Sequence, residues 1–261
     1  MNRVFSALLL TSYRAAVGSG ILRKPWAQRL FLSGYGHYKA LLEARDADRL
    51  AVWVPSAGVV FDVGANVGFF TLKFARWVGP QGRVVALEPE PVNVEHLCMA
   101  LARTALAEQV SVVPAAAADR VGAAHLELNP FHPGDHKLAS AGVPVALTTI
   151  DAQVQALALT RVDLVKIDVQ GAEQLVLAGA RATIARWRPV LYIEVDDLKL
   201  RRYDSSAQQL LSALCALGYS AHRLDGSTVS PSLSVDGACA WVAKRGYVDL
   251  LFLPLMEAPR L

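Results

Sequence analysis

The stretch from Val59 to Phe74, VVFDVGANVGFFTLKF, constrains this chain more than any other. Val59, Val60 and Phe61 form an unbroken apolar run, the pattern of a strand buried on both faces. The run stops at Asp62, Gly64 and Gly68 follow, and the residues from Phe69 to Ala75 read as the first turns of a helix. A strand, a glycine turn and a helix in that order form the ligand-cradling unit of doubly wound α/β proteins. Glycine lets the backbone approach a ligand closely, and a helix start presents N–H groups without intrahelical partners.

The turn departs from the dinucleotide fingerprint. G-x-G-x-x-G needs glycine at positions 64, 66 and 69, and this chain has Asn66 and Phe69 there. Its pattern is D-x-G-x-N-x-G, with an acid just ahead of the first glycine. That acid repels a pyrophosphate and suits a ligand carrying a positive amine or sulfonium. Glu88 ends the next apolar strand, RVVAL, where a carboxylate can accept from both hydroxyls of a ribose. Together the two features point to a nucleoside ligand, either NAD or S-adenosylmethionine.

The rest of the chain repeats the alternation. A helix from Gly68 to Val78 stops at Gly79-Pro80, and a strand covers Arg83 to Leu87. A helix from Val92 to Leu106 and a strand from Val110 to Val113 complete half of a doubly wound sheet. The middle changes character: short strands at Ala124–Leu128 and Val143–Thr148 flank a polar loop from Asn129 to Lys137. Helical pattern returns at Thr149–Leu157, then a strand at Val162–Asp168, a turn at Gln170-Gly171 and one helix through Trp187. A strand at Val190–Val195, a helix at Ser205–Leu217 ended by Gly218, a strand from Tyr219 and a last strand at Val248–Leu253 follow. One domain over residues 51–261, preceded by a helical extension over 1–50, accounts for the pattern.

Composition narrows the function classes. With 53% hydrophobic and 19% charged residues, the chain suits a sheet covered on both faces and excludes disorder. A net charge of +3 is too small to imply nucleic acid. Cys98, Cys215 and Cys239 are far apart and form no CxxC pair, which argues against a zinc site or a disulfide framework and for reduced thiols in the cytoplasm. No dense ligand spacing suggests a required metal. Near the start, the apolar run from Val4 to Leu10 is far shorter than the roughly 20 residues a membrane span needs. Arg3, Arg14, Arg23, Lys24 and Arg29 lie among Leu, Phe and Trp, so residues 1–30 either pack on the domain or touch an anionic membrane surface.

FDVGANVGFFT, VVALEPEP and DLVKIDVQGAEQLVLAGA, in that order, resemble the FkbM family of S-adenosylmethionine-dependent methyltransferases over Val59 to Asp197. The resemblance implies the class I, Rossmann-like methyltransferase fold: a doubly wound, mostly parallel seven-stranded sheet whose last strand is antiparallel. It implies methyl transfer to a hydroxyl of a sugar, glycan or secondary metabolite. By position, Asp62, Gly64, Asn66 and Gly68 would line the methionine end of the cofactor and Glu88 would bind the ribose. Asp119 would sit near the adenine, or serve as a solvated turn acid. Thr148, Thr149, Ile150 and Asp151 resemble the family's Thr-Leu-Asp segment, which reads as a helix cap.

A sugar hydroxyl is a weak nucleophile until it loses its proton, so a positioned base is expected. Asp168, ending the fourth main strand, is the first candidate. The loop NPFHPGDHK offers His132, Asp135 and His136, or is an ordinary surface connection. Glu173, in the KIDVQGAE block, is a site candidate or a carboxylate placed to suit a helix dipole. Glu194 ends the fifth strand, and Lys166 is expected to pair with an acid. Two other functions fit the same sheet: an NAD-dependent oxidoreductase, and a cofactor-binding but inactive scaffold.

Overall fold

A computed structural model describes residues 48–129, 136–225 and 228–255. The helical extension and membrane-surface expectations for residues 1–47, and the candidates His132 and Asp135, lie outside the described residues. A short 3₁₀ turn, Asp48–Trp53, leads into β1 (Val59–Val63), α1 (Phe69–Val78), β2 (Arg83–Leu87), α2 (Pro91–Ala102) and β3 (Val110–Val113). Next come β4 (Ala115–Ala117), β5 (Gly122–Glu127), β6 (Lys137–Ala139), β7 (Val143–Thr148) and α3 (Ile150–Ala156). The second half holds β8 (Leu164–Ile167), α4 (Glu173–Ala178), α5 (Arg181–Trp187), β9 (Val190–Asp196), α6 (Asp197–Leu200) and α7 (Ala207–Ala216). It closes with β10 (Tyr219–His222), the hairpin of β11 (Leu224–Asp225) and β12 (Thr228–Val229), α8 (Val235–Arg245) and β13 (Tyr247–Pro254).

The main sheet runs β10-β13-β9-β8-β1-β2-β3. β3, β2, β1, β8 and β9 pair in parallel, and β13 is antiparallel to both β9 and β10. Strand order reverses between β1 and β8, and that switch point is where ligand crevices open in such sheets. All five β1 residues are buried, because helices cover both faces. Phe61 and Val63 face a core with Ile167, Ile193, Val176 of α4 and Leu210 of α7. Val60 packs on the other face with Val84, Leu164 and Phe70 and Phe74 of α1. Among the described residues, no helix is long and apolar enough to cross a membrane.

The elements differ from the sequence expectation in several places. The middle strands form their own sheet, β4-β7-β5-β6, which includes Ala115–Ala117, a strand the pattern does not predict. The single helix expected through Trp187 is two, broken at Gly179 and Ala180. A Cβ on Gly179 would lie 2.0 Å from the Ala118 carbonyl oxygen, and the Gly179 carbonyl accepts from Asp151 N–H at 3.0 Å. The Asp151 carboxylate then caps α5, accepting from the N–H groups of Ala182 and Thr183 at 2.9 and 2.8 Å and from Thr183 Oγ1 at 2.6 Å. Helix α2 ends at Ala102 rather than Leu106, where Thr104 Oγ1 turns back to the Leu101 carbonyl at 2.8 Å. Helix α8 is an addition, started by Ser234, whose Oγ accepts from Gly237 N–H at 3.1 Å.

Candidate active site

A cleft of about 700 Å³, counting its open mouth, lies at the carboxyl ends of β1, β2 and β8. Gly64, Asn66, Glu88 and Asn93 form one end, with Leu87, Pro89, Ala116 and Ala117 as its apolar wall. Asp168, Val169, Gln170 and Ala172 form the other end, facing Leu126, His136 and Leu138 of the small-sheet region and Tyr203. Tyr203 Oη accepts from Leu138 N–H at 2.9 Å, tying β6 to the segment after α6.

The glycine turn is sealed onto β2: Gly64 and Ala65 N–H groups both donate to the Leu87 carbonyl at 3.0 Å. Gly64 has φ +79°, and a Cβ there would sit 1.9 Å from the Asp168 carbonyl oxygen. Asn66 adopts φ +52°, which asparagine tolerates better than most residues. Its N–H donates to Glu88 Oε2 at 2.8 Å. Glu88 Oε1 accepts from Glu90 N–H at 3.0 Å and from Asn93 Nδ2 at 3.3 Å. Burial pushes the Glu88 carboxyl up to about 7, with those three donors opposing. Glu90 itself caps α2 through Asn93 N–H at 2.6 Å.

Asp62 lies beneath the turn and is not among the cleft-lining residues. It is fully buried, its Oδ2 accepting from Thr71 Oγ1 at 2.6 Å and its Oδ1 facing Lys166 Nζ at 3.5 Å. Gly68 has φ +94° and leaves room for Leu97, whose Cδ1 would be 2.4 Å from a Cβ. Asp119 also stands outside the lining, ion-paired with Arg120 at 3.0 Å. Thr149 Oγ1 caps α3 through Ala152 N–H at 2.9 Å. The cleft therefore brings together Gly64, Asn66, Glu88, Asp168 and His136, with Asp62 and Gly68 supporting the turn.

Around Asp168 the charges are dense. Gln170 Nε2 donates to Asp168 Oδ1 at 2.8 Å and to Glu194 Oε2 at 3.2 Å. Lys166 Nζ is 3.5 Å from Asp168 Oδ2, the acid pairing expected of it. Lys199 pairs with Glu194 at 3.1 Å and Asp196 at 3.6 Å. Burial, then the nearby Asp168 charge, raise the Glu194 carboxyl well above the usual range. Glu173 braces the Gln170-Gly171 turn: its Oε1 accepts from Gly171 N–H at 3.0 Å, and burial pushes its carboxyl up to about 7. Its Oε2 has no hydrogen-bond partner among the described residues. Among those residues no group of three or more His, Cys, Asp or Glu side chains is arranged to hold a metal ion.

Gln170, Asn93 and Tyr203 escape the sequence reading. Gln170 precedes a glycine and takes φ +61°, a signal that marks the turn but not the side chain's reach. Asn93 sits three residues after the capping Glu90, a cue to its location alone. Tyr203 has no local signal, since tertiary assembly brings it to the cleft.

The fold and this cleft define a class I S-adenosylmethionine-dependent methyltransferase. A putative rRNA-methylase from Clostridium thermocellum shares the fold, with a TM-score of 0.50 at 12% identity over 82% of this chain and 96% of that one. The chain belongs to the FkbM methyltransferase family, whose methyltransferase FkbM domain matches residues 62–221. FkbM from Methylobacillus flagellatus KT superposes with a TM-score of 0.47 at 21% identity, over 76% of this chain and 44% of that one. Among curated relatives, a catechol O-methyltransferase of Mycobacterium tuberculosis is 43% identical over 60 residues, 23% of this chain and 27% of its own length. The methyltransferase sdnD of Sordaria araneosa is 28% identical over 160 residues, 48% of this chain and 61% of its own. The chain thus spans less than two thirds of either relative. Family membership decides between the two nucleoside cofactors in favour of S-adenosylmethionine.

Proposed function

We propose that the protein transfers a methyl group to a hydroxyl oxygen of a sugar, glycan or secondary-metabolite acceptor, with Asp168 as general base. The observation that carries this reading is the Asp168 carboxylate, which lines the cleft at the end of β8 while Gln170 holds its Oδ1. S-adenosylmethionine supplies a methyl group on a sulfonium, open to in-line displacement. Glu88, buried in the cleft wall, suits the two ribose hydroxyls, and Gly64 and Asn66 offer a backbone wall to the amino-acid end. Asp62 and Gly68 support that wall from behind, and Asp119, outside the lining, pairs with Arg120 instead.

Alignment supplies most of the catalysis, up to roughly 7–11 kcal/mol of barrier. Proton removal adds about 10²–10⁴-fold. Between the two base candidates in the cleft, Asp168 is favoured. His136 Nδ1 accepts from Asn129 N–H at 3.1 Å, so in the neutral ring the proton sits on Nε2. That makes His136 a donor to the acceptor's oxygen rather than a proton acceptor. Leu126, Leu138, Val169 and Tyr203 suit the acceptor's carbon skeleton. The mycobacterial relative, a catechol O-methyltransferase, also methylates oxygen.

The test combines tritiated S-adenosylmethionine, host glycan and metabolite extracts, and the variant Asp168→Asn. Label should enter an O-methyl product with wild-type protein. Asp168→Asn should lower turnover by about 10²-fold or more, with S-adenosylhomocysteine affinity by calorimetry little changed. Equal losses in turnover and affinity would make Asp168 a cofactor-binding residue instead, and label found on nitrogen or carbon would refute the hydroxyl assignment.

A further inference from the structure

Strand β8 is apolar except for Lys166, which is only 4% exposed. Its ammonium lies 3.5 Å from Asp62 Oδ1, 3.5 Å from Asp168 Oδ2 and 3.2 Å from the Gly64 carbonyl, and 5.0 Å from the centre of the Phe70 ring. Burying a charge is expensive, and a well-packed hydrophobic residue usually serves a core as well or better. Stability alone therefore gives no reason for a lysine at this position. What the lysine does is join the end of β1 to the end of β8 beneath the cleft.

Acids crowd the surroundings of Asp168, and Lys166 is the cation that touches it. The Asp168 charge helps to raise the carboxyls of Glu173 of α4 and Glu194 of β9, and Asp62 of β1 shares the Lys166 ammonium. Lys199 of α6 pairs with Glu194 and Asp196 and also feels the Asp168 charge at longer range, and Asp249 of β13 adds further negative charge near Glu194. Gln170 donates to the other Asp168 oxygen but carries no charge.

We propose that Lys166 is a positioning residue for proton removal: its ammonium, shared between Asp62 and Asp168, keeps the Asp168 carboxylate ionised and fixed at the cleft wall. This rests on the reading of Asp168 as the base. A neutral Asp168 accepts no proton, so Lys166 sets the lower pH limit of methyl transfer without touching either substrate. The shared cation also ties that limit to Asp62, a residue buried out of the cleft.

The experiment is a carbon-13 NMR titration of aspartate-labelled protein, with the Asp168 carboxyl assigned by its loss in Asp168→Asn. In Lys166→Met the Asp168 midpoint should rise by about 1–3 pH units, and Lys166→Arg should restore it. Asp62→Asn is the reciprocal variant, usable if Lys166→Met does not fold. It removes the competing carboxylate from the ammonium, and the midpoint should fall. A midpoint unmoved in folded Lys166→Met, or unmoved in Asp62→Asn, overturns the proposal. Neither titration uses acceptor or methyl donor, so such a result removes the role of Lys166 while the hydroxyl-acceptor reading stands or falls by its own assay.

Discussion

Glu88 should make the ligand-free protein less stable as the pH rises. Burial pushes its carboxyl from an ordinary 4.5 to about 7, against donors from Glu90, Asn66 and Asn93. Between these two values the unfolded chain has released a proton that the folded protein retains. Stability from this group is therefore fullest below 4.5 and is lost as the pH climbs through about 7. The ionised group costs about 3 kcal/mol at about pH 8 and about 1 kcal/mol at about pH 5, a fall of about 2 kcal/mol across that range. Glu173 and Glu194 act in the same direction, so the wild-type curve alone does not isolate Glu88.

The substitution Glu88→Gln does isolate it. Glutamine leaves a donor facing Asn66 N–H or Glu90 N–H, a cost of about 1–3 kcal/mol that does not change with pH. Urea denaturation of both proteins should show the wild type losing about 2 kcal/mol more than the variant between about pH 5 and about pH 8. S-adenosylhomocysteine should flatten the wild-type decline, because ribose hydroxyls donating to Glu88 favour its ionised form. The same coupling makes ligand binding near neutrality release protons, which calorimetry in buffers of different ionisation heats detects. Parallel stability curves for the two proteins, with no proton release on binding, would refute the reasoning.

Gly64→Ala should cost about 4 kcal/mol or more, since its Cβ would meet the Asp168 carbonyl oxygen at 1.9 Å at φ +79°. Gly79→Ala, at φ +71° with no atom within 4 Å of its Cβ, should cost about 1–3 kcal/mol, and equal losses in urea denaturation would contradict the close-approach argument. Asp151→Ala removes three acceptor contacts at the start of α5 and should cost about 1–3 kcal/mol while leaving S-adenosylhomocysteine affinity by calorimetry unchanged.

The half of the cleft that was legible in the sequence is the half built from neighbouring residues. Val59 to Asn66 and Arg83 to Glu90 each carry strand, turn and polar ends in one short stretch, so residue type and position suffice to find Gly64, Asn66 and Glu88. Asp62 was legible as a conspicuous acid, but its side chain points under the turn toward Thr71 and Lys166. A one-residue change of place along a strand exchanges one face for the other, and the motif does not say which face the ligand occupies. The α4–α5 break was hidden for a different reason. Gly179 reads as an ordinary helical glycine until the Ala118 backbone, far away in sequence, comes to lie against it.

The other half was not legible because no short segment contains it. Leu126 and Leu138 come from the small sheet, Tyr203 from the turn after α6, and Gln170 from a turn whose conformation depends on Glu173 and Lys199. A Cβ on Gly171 would lie 2.3 Å from the Lys199 carbonyl oxygen, so the turn that presents Gln170 is shaped by the chain following β9. The Tyr203 bond to Leu138 N–H then fixes the small sheet to that same segment. The wall proposed for the acceptor and the groups holding Asp168 are thus mechanically one unit. A change of acceptor made through Tyr203 or Leu138 should also be felt at Asp168 through Gly171 and Gln170, whereas Glu88 and the glycine turn, joined by their own bonds to β2, stay apart from it.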